Sequence, residues 1–198
     1  MTPLRAGVIG VGHLGQHHAR HYATLPGVRL AGVYDASPDR AKLIAERHGV
    51  QAWTNLAEVL KQVDLVSVAA PTSAHFAAAK ACLEAGKHVL VEKPIAVTST
   101  EAHELVELAA RHGCLLQVGH SERFNPIMQR MRGSIERPAF IEGHRLSAFG
   151  ERGTDVDVVL DLMIHDLDLV LSFHPGPVEE VRAAGVPVLS SNIDIANA

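Results

Sequence analysis

A glycine-rich turn between a predicted strand and a predicted helix constrains the fold more than any other feature of this sequence. The apolar run 5–9 leads into the turn and an amphipathic stretch, 13–25, follows it. The turn reads Gly10-Val11-Gly12-His13-Leu14-Gly15. In this pattern the first glycine permits a tight bend, the second lets the backbone approach a pyrophosphate, and the third allows close packing of helix on strand. The first N–H groups of the helix can then bind an anion.

An acidic residue at the end of the second predicted strand supports a dinucleotide site. Asp35 follows the apolar run 29–34 and lies 20 residues after Gly15, where a carboxylate can accept a hydrogen bond from a ribose 2′-hydroxyl. Because the same carboxylate would repel a 2′-phosphate, the sequence favours NAD. Arg40 could reach such a phosphate, which leaves NADP open, or could simply be a surface charge on a helix. The alternative for the whole motif is an ordinary glycine-rich turn beside a solvated Asp35.

Strand and helix patterns alternate over the first 120 residues. Apolar runs typical of buried strands lie at 5–9, 29–34, 63–69, 88–92 and 114–119. Amphipathic stretches typical of helices lie at 13–25, 38–48, 74–85 and 100–112. Apolar strands separated by helices predict a parallel sheet that is covered on both faces. We therefore expect an α/β fold with a doubly wound parallel-sheet (Rossmann) domain over residues 1–120, which binds ligands at the carboxyl ends of its strands.

The pattern changes after Gly119, and residues 121–198 predict a smaller α+β domain. The predicted elements are a loop and short helix over 121–132, a strand over 139–149, an apolar helix over 156–173, and short strands over 180–186 and 193–196. These strands are too few to close a sheet. We therefore expect an incomplete domain, which belongs to a longer chain or relies on a partner.

A charged pair ends the strand predicted over 88–92. The sequence there continues through Glu92-Lys93-Pro94. In a doubly wound sheet this strand end faces the ligand crevice, where a lysine could hold a substrate hydroxyl and stabilise a developing alkoxide. A solvated strand end that proline terminates is the alternative. The junction after the preceding strand faces the same crevice and contains Pro71, Thr72 and His75.

The helix predicted over 156–173 carries one polar stripe on an otherwise apolar surface. Its polar members are Asp157, Asp161, His165, Asp168 and Ser172. Such a stripe is costly to bury unless it lines a cavity or is paired. Asp161, one predicted turn before His165, could fix the imidazole tautomer, and His165 could then exchange a proton near neutral pH. The alternatives are a structural histidine and an Asp–His metal pair; the sequence names no convincing further ligands, so we predict no metal site.

Composition excludes several function classes. The formal net charge of −4 disfavours nucleic acid as a partner. No apolar run approaches the roughly 18 residues that a membrane-spanning helix needs, and the first residues lack a basic leader. Two cysteines, Cys82 and Cys114, are too few for a disulfide framework. We therefore expect a cytoplasmic protein without nucleic-acid or membrane partners.

Taken together, these motifs resemble those of the Gfo/Idh/MocA family of NAD(P)-dependent oxidoreductases. The matching segments are 7–15, Asp35, 71–75, 92–94, 119–126 and Asp161-x-x-x-His165-Asp166. The resemblance implies that Lys93 and His165 act on a substrate hydroxyl, that Asp161 supports His165, and that the Lys93–Pro94 bond is cis. The predicted cofactor contacts are Gly10, Gly12, His13, Leu14, Gly15, Asp35, Arg40, Pro71, Thr72, His75, Glu92, Lys93 and Pro94.

The resemblance also implies hydride transfer between NAD(P) and a secondary hydroxyl of a sugar or sugar nucleotide. Residues 118–126, 144–147 and 152–157 are similar to those of family members that oxidise the 3-hydroxyl of UDP-N-acetylglucosamine. Arg123, Asn125 and Arg145 are then predicted substrate contacts, although either arginine could equally form a structural ion pair.

Family members continue into an open antiparallel sheet that builds dimers or tetramers, so we expect a homo-oligomer formed through the second domain. One alternative function is an inositol or aldose dehydrogenase. Another is a non-catalytic regulator that senses a dinucleotide or a sugar. The presence of both Lys93 and His165 disfavours the regulator, because a sensor needs no proton-transfer pair.

Overall fold

The computed structural model describes residues 2–132, 134–135, 138–148, 156–173 and 176–198. They form two compact units, one that extends to Gly119 and one that begins at His120. No helix in the described part of the chain combines the length and the apolar character that crossing a bilayer requires.

A six-stranded parallel sheet forms the first unit. The strands are β1 (Leu4–Ile9), β2 (Val28–Tyr34), β3 (Gln51–Trp53), β4 (Leu65–Val68), β5 (His88–Val91) and β6 (Leu116–Val118). Their order is β3-β2-β1-β4-β5-β6, and every pair is parallel. This is the Rossmann strand order, so the predicted fold class is confirmed. The order reverses between β1 and β4, and ligands bind at such a point.

Five helices connect these strands. They are α1 (Gly15–Thr24), α2 (Pro38–His48), α3 (Leu56–Gln62), α4 (Thr72–Glu84) and α5 (Ser99–Arg111). Helix α2 has the predicted bounds because Pro38 fits a first helical turn and Gly49 ends the helix in a left-handed conformation, with φ of 63°. Strand β3 and helix α3 were not predicted from the sequence, because their three and seven residues are too short to show a clear period.

Two buried apolar clusters cover the two faces of the sheet. One includes Val59 of α3, Leu83 of α4 and Leu105 of α5. The other includes Ala19 of α1 and Ile44 of α2. Helices on both faces leave the carboxyl ends of the strands as the exposed edge where side chains can meet a ligand.

The second unit contains less regular structure. Its elements are a 3₁₀ turn (Ser121–Phe124), α6 (Pro126–Arg132), a π-helical segment (Val159–Met163), α7 (Ile164–Phe173), β7 (Ala184–Val186) and β8 (Ile195–Asn197). Strands β7 and β8 pair antiparallel. The strand predicted over 180–186 is therefore shorter than expected, and β8 begins two residues after the predicted start at 193.

The strand predicted over 139–149 is wrong for the residues that the structure describes. Residues 139–148 form no strand, and Phe149 lies outside the described residues. Phe140 and Leu146 are 81% and 93% exposed. A strand needs a neighbour to accept and donate its backbone hydrogen bonds, and in the described part of the chain this segment pairs with none.

An ion pair between Arg5 and Asp64 connects β1 with the start of β4. Asp64 accepts hydrogen bonds from the Arg5 backbone N at 2.9 Å and from its side-chain Nε at 3.1 Å and Nη2 at 2.6 Å. Hydrogen bonds from the Arg5 side chain, and then from its backbone, lower the pKa of Asp64 to about 2. The ionised carboxylate therefore stabilises the junction of the two central strands.

We expect Asp64→Asn to lower the free energy of unfolding at pH 7 and to matter less at low pH. Because folding depresses the pKa of Asp64, the contribution of the carboxylate is complete above its ordinary value of 3.8 and is lost as the pH falls through about 2. Urea denaturation of both proteins at pH 7 and pH 3 measures the difference. A difference that stays constant with pH would contradict the role given to this ion pair.

Candidate functional site

The glycine turn packs so closely that two of its positions exclude a side chain. Gly10 has a φ of +81°, and a Cβ there would lie 2.6 Å from the backbone N of Ala70, which follows β4. A Cβ on Gly15 would overlap the carbonyl oxygen of Gly10. The turn therefore lies against the end of β4, at the reversal of the strand order.

The start of α1 fits a diphosphate. Leu14 supplies no side-chain cap, and the first turn of the helix contains no acidic residue. Around Gly12 the space is open, since the nearest atom that a Cβ would meet is Nη1 of Arg40 at 3.9 Å. Uncapped N–H groups at a helix N-terminus attract anions. These residues fit the diphosphate of a dinucleotide.

Asp35 is buried and fixes the glycine turn. Its exposed fraction is 8%. Oδ2 accepts a hydrogen bond from the Val11 N at 2.8 Å, and Oδ1 accepts one from the Ser37 N at 2.8 Å. The alternative of a solvated Asp35 is therefore wrong. The carboxylate stands between the glycine turn and the start of α2, where a ribose hydroxyl could reach it.

A pocket of about 390 Å³ lies beside the turn, between α1 and α2. Arg40 and Arg47 both line it, with His13 and Gln16 opposite. Arg40 Nη1 is 3.4 Å from Oδ1 of Asp35. Arg47 was not predicted as a site residue, although its position seven residues after Arg40 places both on one face of α2. Because arginines can bind the 2′-phosphate of NADP, Arg40 and Arg47 leave NADP as a possible cofactor beside NAD.

Glu92, which follows the last residue of β5, is half-buried and held by two hydrogen bonds. Its Oε1 is 2.8 Å from Nε2 of His18 on α1, and its Oε2 accepts a hydrogen bond from the Lys93 N at 3.3 Å. Burial acts to raise the pKa of Glu92, but the hydrogen bond with His18 and the charge of that ring outweigh it, so the pKa lies below its usual value. The Lys93–Pro94 bond is cis, as predicted. His18 was not among the residues that the sequence predicted for the site.

His75 joins the ends of two strands. It lies in the first turn of α4 and is 1% exposed. Nδ1 lies 2.7 Å from the carbonyl oxygen of Pro94, and Nε2 lies 2.9 Å from that of Ala70. Thr72 in the same turn is buried as well. Cofactor contacts of Pro71, Thr72 and His75 stay predictions.

The helix predicted over 156–173 is not one regular α-helix. Val159–Met163 is π-helical, and α7 begins at Ile164. Asp161 therefore lies in a segment whose hydrogen bonds span five residues, while His165 lies in the first turn of α7, so a simple one-turn spacing does not relate them. Both side chains are half-buried. Single π-turns occur frequently at functional sites.

The predicted substrate arginines form ion pairs within the second unit. Arg123 donates from Nε and Nη2 to Asp168, at 2.6 and 2.5 Å. Arg145 donates from Nε and Nη2 to Asp166, at 2.9 to 3.1 Å. Asp168, one of the residues of the predicted polar stripe, is 8% exposed. Its carboxylate is therefore a buried partner of Arg123. The ion-pair alternative thus describes both arginines as the structure shows them. Asn125 accepts a hydrogen bond from the Ile127 N, at the start of α6.

A comparison with protein families decides the relationship. The model of the Gfo/Idh/MocA family, described as an oxidoreductase family with an NAD-binding Rossmann fold, matches residues 4–120. The chain belongs to the Gfo/Idh/MocA family. The resemblance drawn from the sequence is confirmed, and so is the expectation that this Rossmann domain binds NAD.

Similar Gfo/Idh/MocA relatives extend the match beyond the Rossmann domain. UDP-N-acetylglucosamine 3-dehydrogenase of Acidithiobacillus ferrooxidans is 41% identical over 199 residues, which cover 100% of this chain and 63% of that protein. The solved structure of that enzyme matches with a TM-score of 0.92 over 99% of this chain and 65% of the other. Inositol 2-dehydrogenase of Rubrobacter xylanophilus is 32% identical over 96% of this chain and 58% of that protein.

A relative solved with its cofactor supports the assignment of the dinucleotide. GenD2 from gentamicin A biosynthesis, in complex with NAD, is 26% identical and matches with a TM-score of 0.85 over 99% of this chain and 60% of the other. The chain thus spans less than two thirds of the length of each of these relatives.

We expect Asp35→Ala to weaken NAD⁺ binding about tenfold. The ratio of the affinity for NAD⁺ to the affinity for NADP⁺ should also fall. The loss of one charge-assisted hydrogen bond costs about 1.5 kcal/mol, and the carboxylate no longer repels a 2′-phosphate. Calorimetric titration with both dinucleotides measures the two affinities. Asp39→Ala, on the exposed start of α2, is the matched control and should bind like the wild type. An unchanged ratio of the two affinities in Asp35→Ala would remove Asp35 from the ribose site.

Proposed function

We propose that the chain is part of an NAD(P)-dependent dehydrogenase that oxidises a secondary hydroxyl of a sugar nucleotide, the 3-hydroxyl of UDP-N-acetylglucosamine. The observation that carries the proposal is the 41% identity to UDP-N-acetylglucosamine 3-dehydrogenase, because it covers the second unit as well as the cofactor domain. Similarity to inositol 2-dehydrogenase is lower, at 32%. Inositol is therefore the second candidate substrate.

In the proposed reaction His165 takes the proton of the substrate hydroxyl while Lys93 stabilises the oxygen that loses it. Bound NAD⁺ supplies the acceptor for the hydride of the carbinol carbon, so that the alcohol becomes a ketone. Asp161 orients His165 and stabilises its imidazolium form. A histidine suits this step because its unperturbed pKa of about 6.5 lies close to the working pH.

The backbone around Lys93 suits a residue that must hold one position. Lys93 lies two residues after the end of β5. Its N–H donates to Oε2 of Glu92, and the neighbouring Pro94 carbonyl is in hydrogen-bonding distance of His75. A positive ammonium group at a strand end can stabilise a developing alkoxide before the proton has fully left. A rigidly held backbone keeps that group where the oxygen develops charge.

Arg123, Asn125 and Arg145 are the proposed substrate contacts of the second unit. A guanidinium carries five N–H donors, of which the carboxylates of Asp168 and Asp166 occupy only some. The remaining donors of the two arginines could bind the diphosphate of a sugar nucleotide. The ion pairs would then orient the arginines and still leave them able to bind.

We also propose a cytoplasmic homo-oligomer. The second unit exposes large apolar side chains, among them Phe140, Leu146 and Val181, and burial of such groups favours association. Both Cys82 and Cys114 are free thiols, which a reducing compartment preserves.

The assay that tests the function follows the absorbance of reduced nicotinamide. We expect the purified chain to reduce NAD⁺ in the presence of UDP-N-acetylglucosamine and not in the presence of glucose or inositol. Reduction with inositol alone would favour the second candidate. Absence of reduction with all three would contradict the proposed function for this chain.

We expect Lys93→Ala and His165→Ala each to lower turnover by about 100-fold or more, since each removes a group that handles the substrate proton or oxygen. NAD⁺ affinity should change by no more than a few-fold, because neither side chain is needed to bind the diphosphate. Lys87→Ala and His103→Ala, which alter residues outside the proposed machinery, are the matched controls and should keep wild-type turnover. Retained turnover in both test variants would overturn the mechanism.

A further inference from the structure

His75 is a buried histidine whose two ring nitrogens both face carbonyl oxygens. The side chain is 1% exposed, and its contacts are with Pro94 at 2.7 Å and with Ala70 at 2.9 Å. A carbonyl oxygen can only accept a hydrogen bond. A neutral imidazole has a single N–H and therefore donates to one of the two, whereas a doubly protonated ring donates to both.

The two carbonyls belong to segments that lie beyond the paired residues of β4 and β5. The β4–β5 ladder ends where Val68 pairs with Val91. Ala70 and Pro94 lie two and three residues beyond these last partners. The His75 side chain thus connects the segment after β4 with the segment after β5, beyond their last backbone pair. The segment after β5 contains Lys93.

We propose that His75 is a positioning residue that fixes the Lys93–Pro94 segment through the hydrogen bond from Nδ1 to the Pro94 carbonyl. The inference rests on the proposed function, in which Lys93 stabilises the substrate oxygen. It differs from the cofactor contact expected from the sequence, because His75 acts through the backbone of its neighbour. The contact with Ala70 sets the orientation of the ring.

A second contact holds the same segment through Glu92. Glu92, one residue before Lys93, is bonded to His18 of α1, and a Cβ on Gly119 would lie 2.8 Å from Oε2 of Glu92. The residue before Lys93 and the residue after it are therefore both fixed by side chains from neighbouring helices. Such double fixation restricts the position of the Lys93 backbone.

Two conservative variants separate the two contacts of His75. His75→Asn places an amide nitrogen near the position of Nδ1 and keeps a donor for Pro94. His75→Gln places it near the position of Nε2 and keeps a donor for Ala70. Both variants bury a polar amide in the same place, so a general loss of stability affects them alike. Tyr22→Phe, which removes the hydrogen bond between Tyr22 and Ser67, controls for the loss of a partly buried hydrogen bond elsewhere.

In the NAD⁺-linked assay, we expect His75→Gln to lower kcat by about 10- to 100-fold, the range that a small misplacement of a catalytic group produces. The KM for NAD⁺ should stay within about threefold. His75→Asn should recover kcat to within a few-fold of the wild type, and Tyr22→Phe should match the wild type. Equal kcat values for the Asn and Gln variants would overturn the proposal.

Hydrogen exchange tests the same claim without any turnover. We expect the amides of Lys93, Ile95, Ala96 and Val97 to exchange faster in His75→Gln than in His75→Asn, while those of β1 exchange alike in both. Equal exchange over residues 93–97 would overturn the positioning role. If the wild-type chain shows no turnover with any substrate, the proposed function fails, and this comparison alone decides whether His75 fixes the segment.

Discussion

The hydrogen bond from the Val11 backbone to Asp35 is the interaction on which the dinucleotide site depends. A buried carboxylate must be paired, and Asp35 satisfies this need with the N–H groups of Val11 and Ser37. The glycine turn, the end of β2 and the start of α2 are thereby held in one arrangement. Because Gly10 also lies against Ala70 after β4, the turn cannot move without disturbing the centre of the sheet.

The same principle operates at the end of β5. Backbone hydrogen bonds hold the strands within the sheet. Beyond the last β4–β5 pair, side chains hold the two segments: half-buried Glu92 contacts His18, and buried His75 contacts the Pro94 carbonyl. Ligands of a doubly wound sheet bind at these strand ends. The backbone around Lys93 is therefore fixed by more than one side-chain contact. Catalysis by positioning requires such a fixed backbone near the reacting groups.

The sequence predicts those parts of the fold that local chemistry determines. Residues close in sequence are enough to recognise the glycine turn and Asp35. The same is true of Pro38 and Gly49, which mark the ends of α2. The π-helical segment around Asp161 could not be predicted, since the apolar period does not distinguish it from an α-helix. The strand predicted over 139–149 failed because pairing depends on distant residues. The ion pair of Arg123 with Asp168 joins positions 45 residues apart, which spacing within one element cannot reveal. The catalytic roles of Asp161 and His165 and the substrate contacts of Arg123, Asn125 and Arg145 stay predictions.

A titration of the ¹⁵N-labelled chain with NAD⁺, followed by amide NMR, tests whether the glycine turn and Asp35 form the dinucleotide site. We expect saturable chemical-shift changes of the amides from Val11 to Gly15 and of Ser37, because these N–H groups lie in the turn or bond to Asp35. Amides of α5, which lies away from the glycine turn along the chain, should stay unchanged. Saturable shifts confined to other residues, with the glycine turn unaffected, would contradict the account.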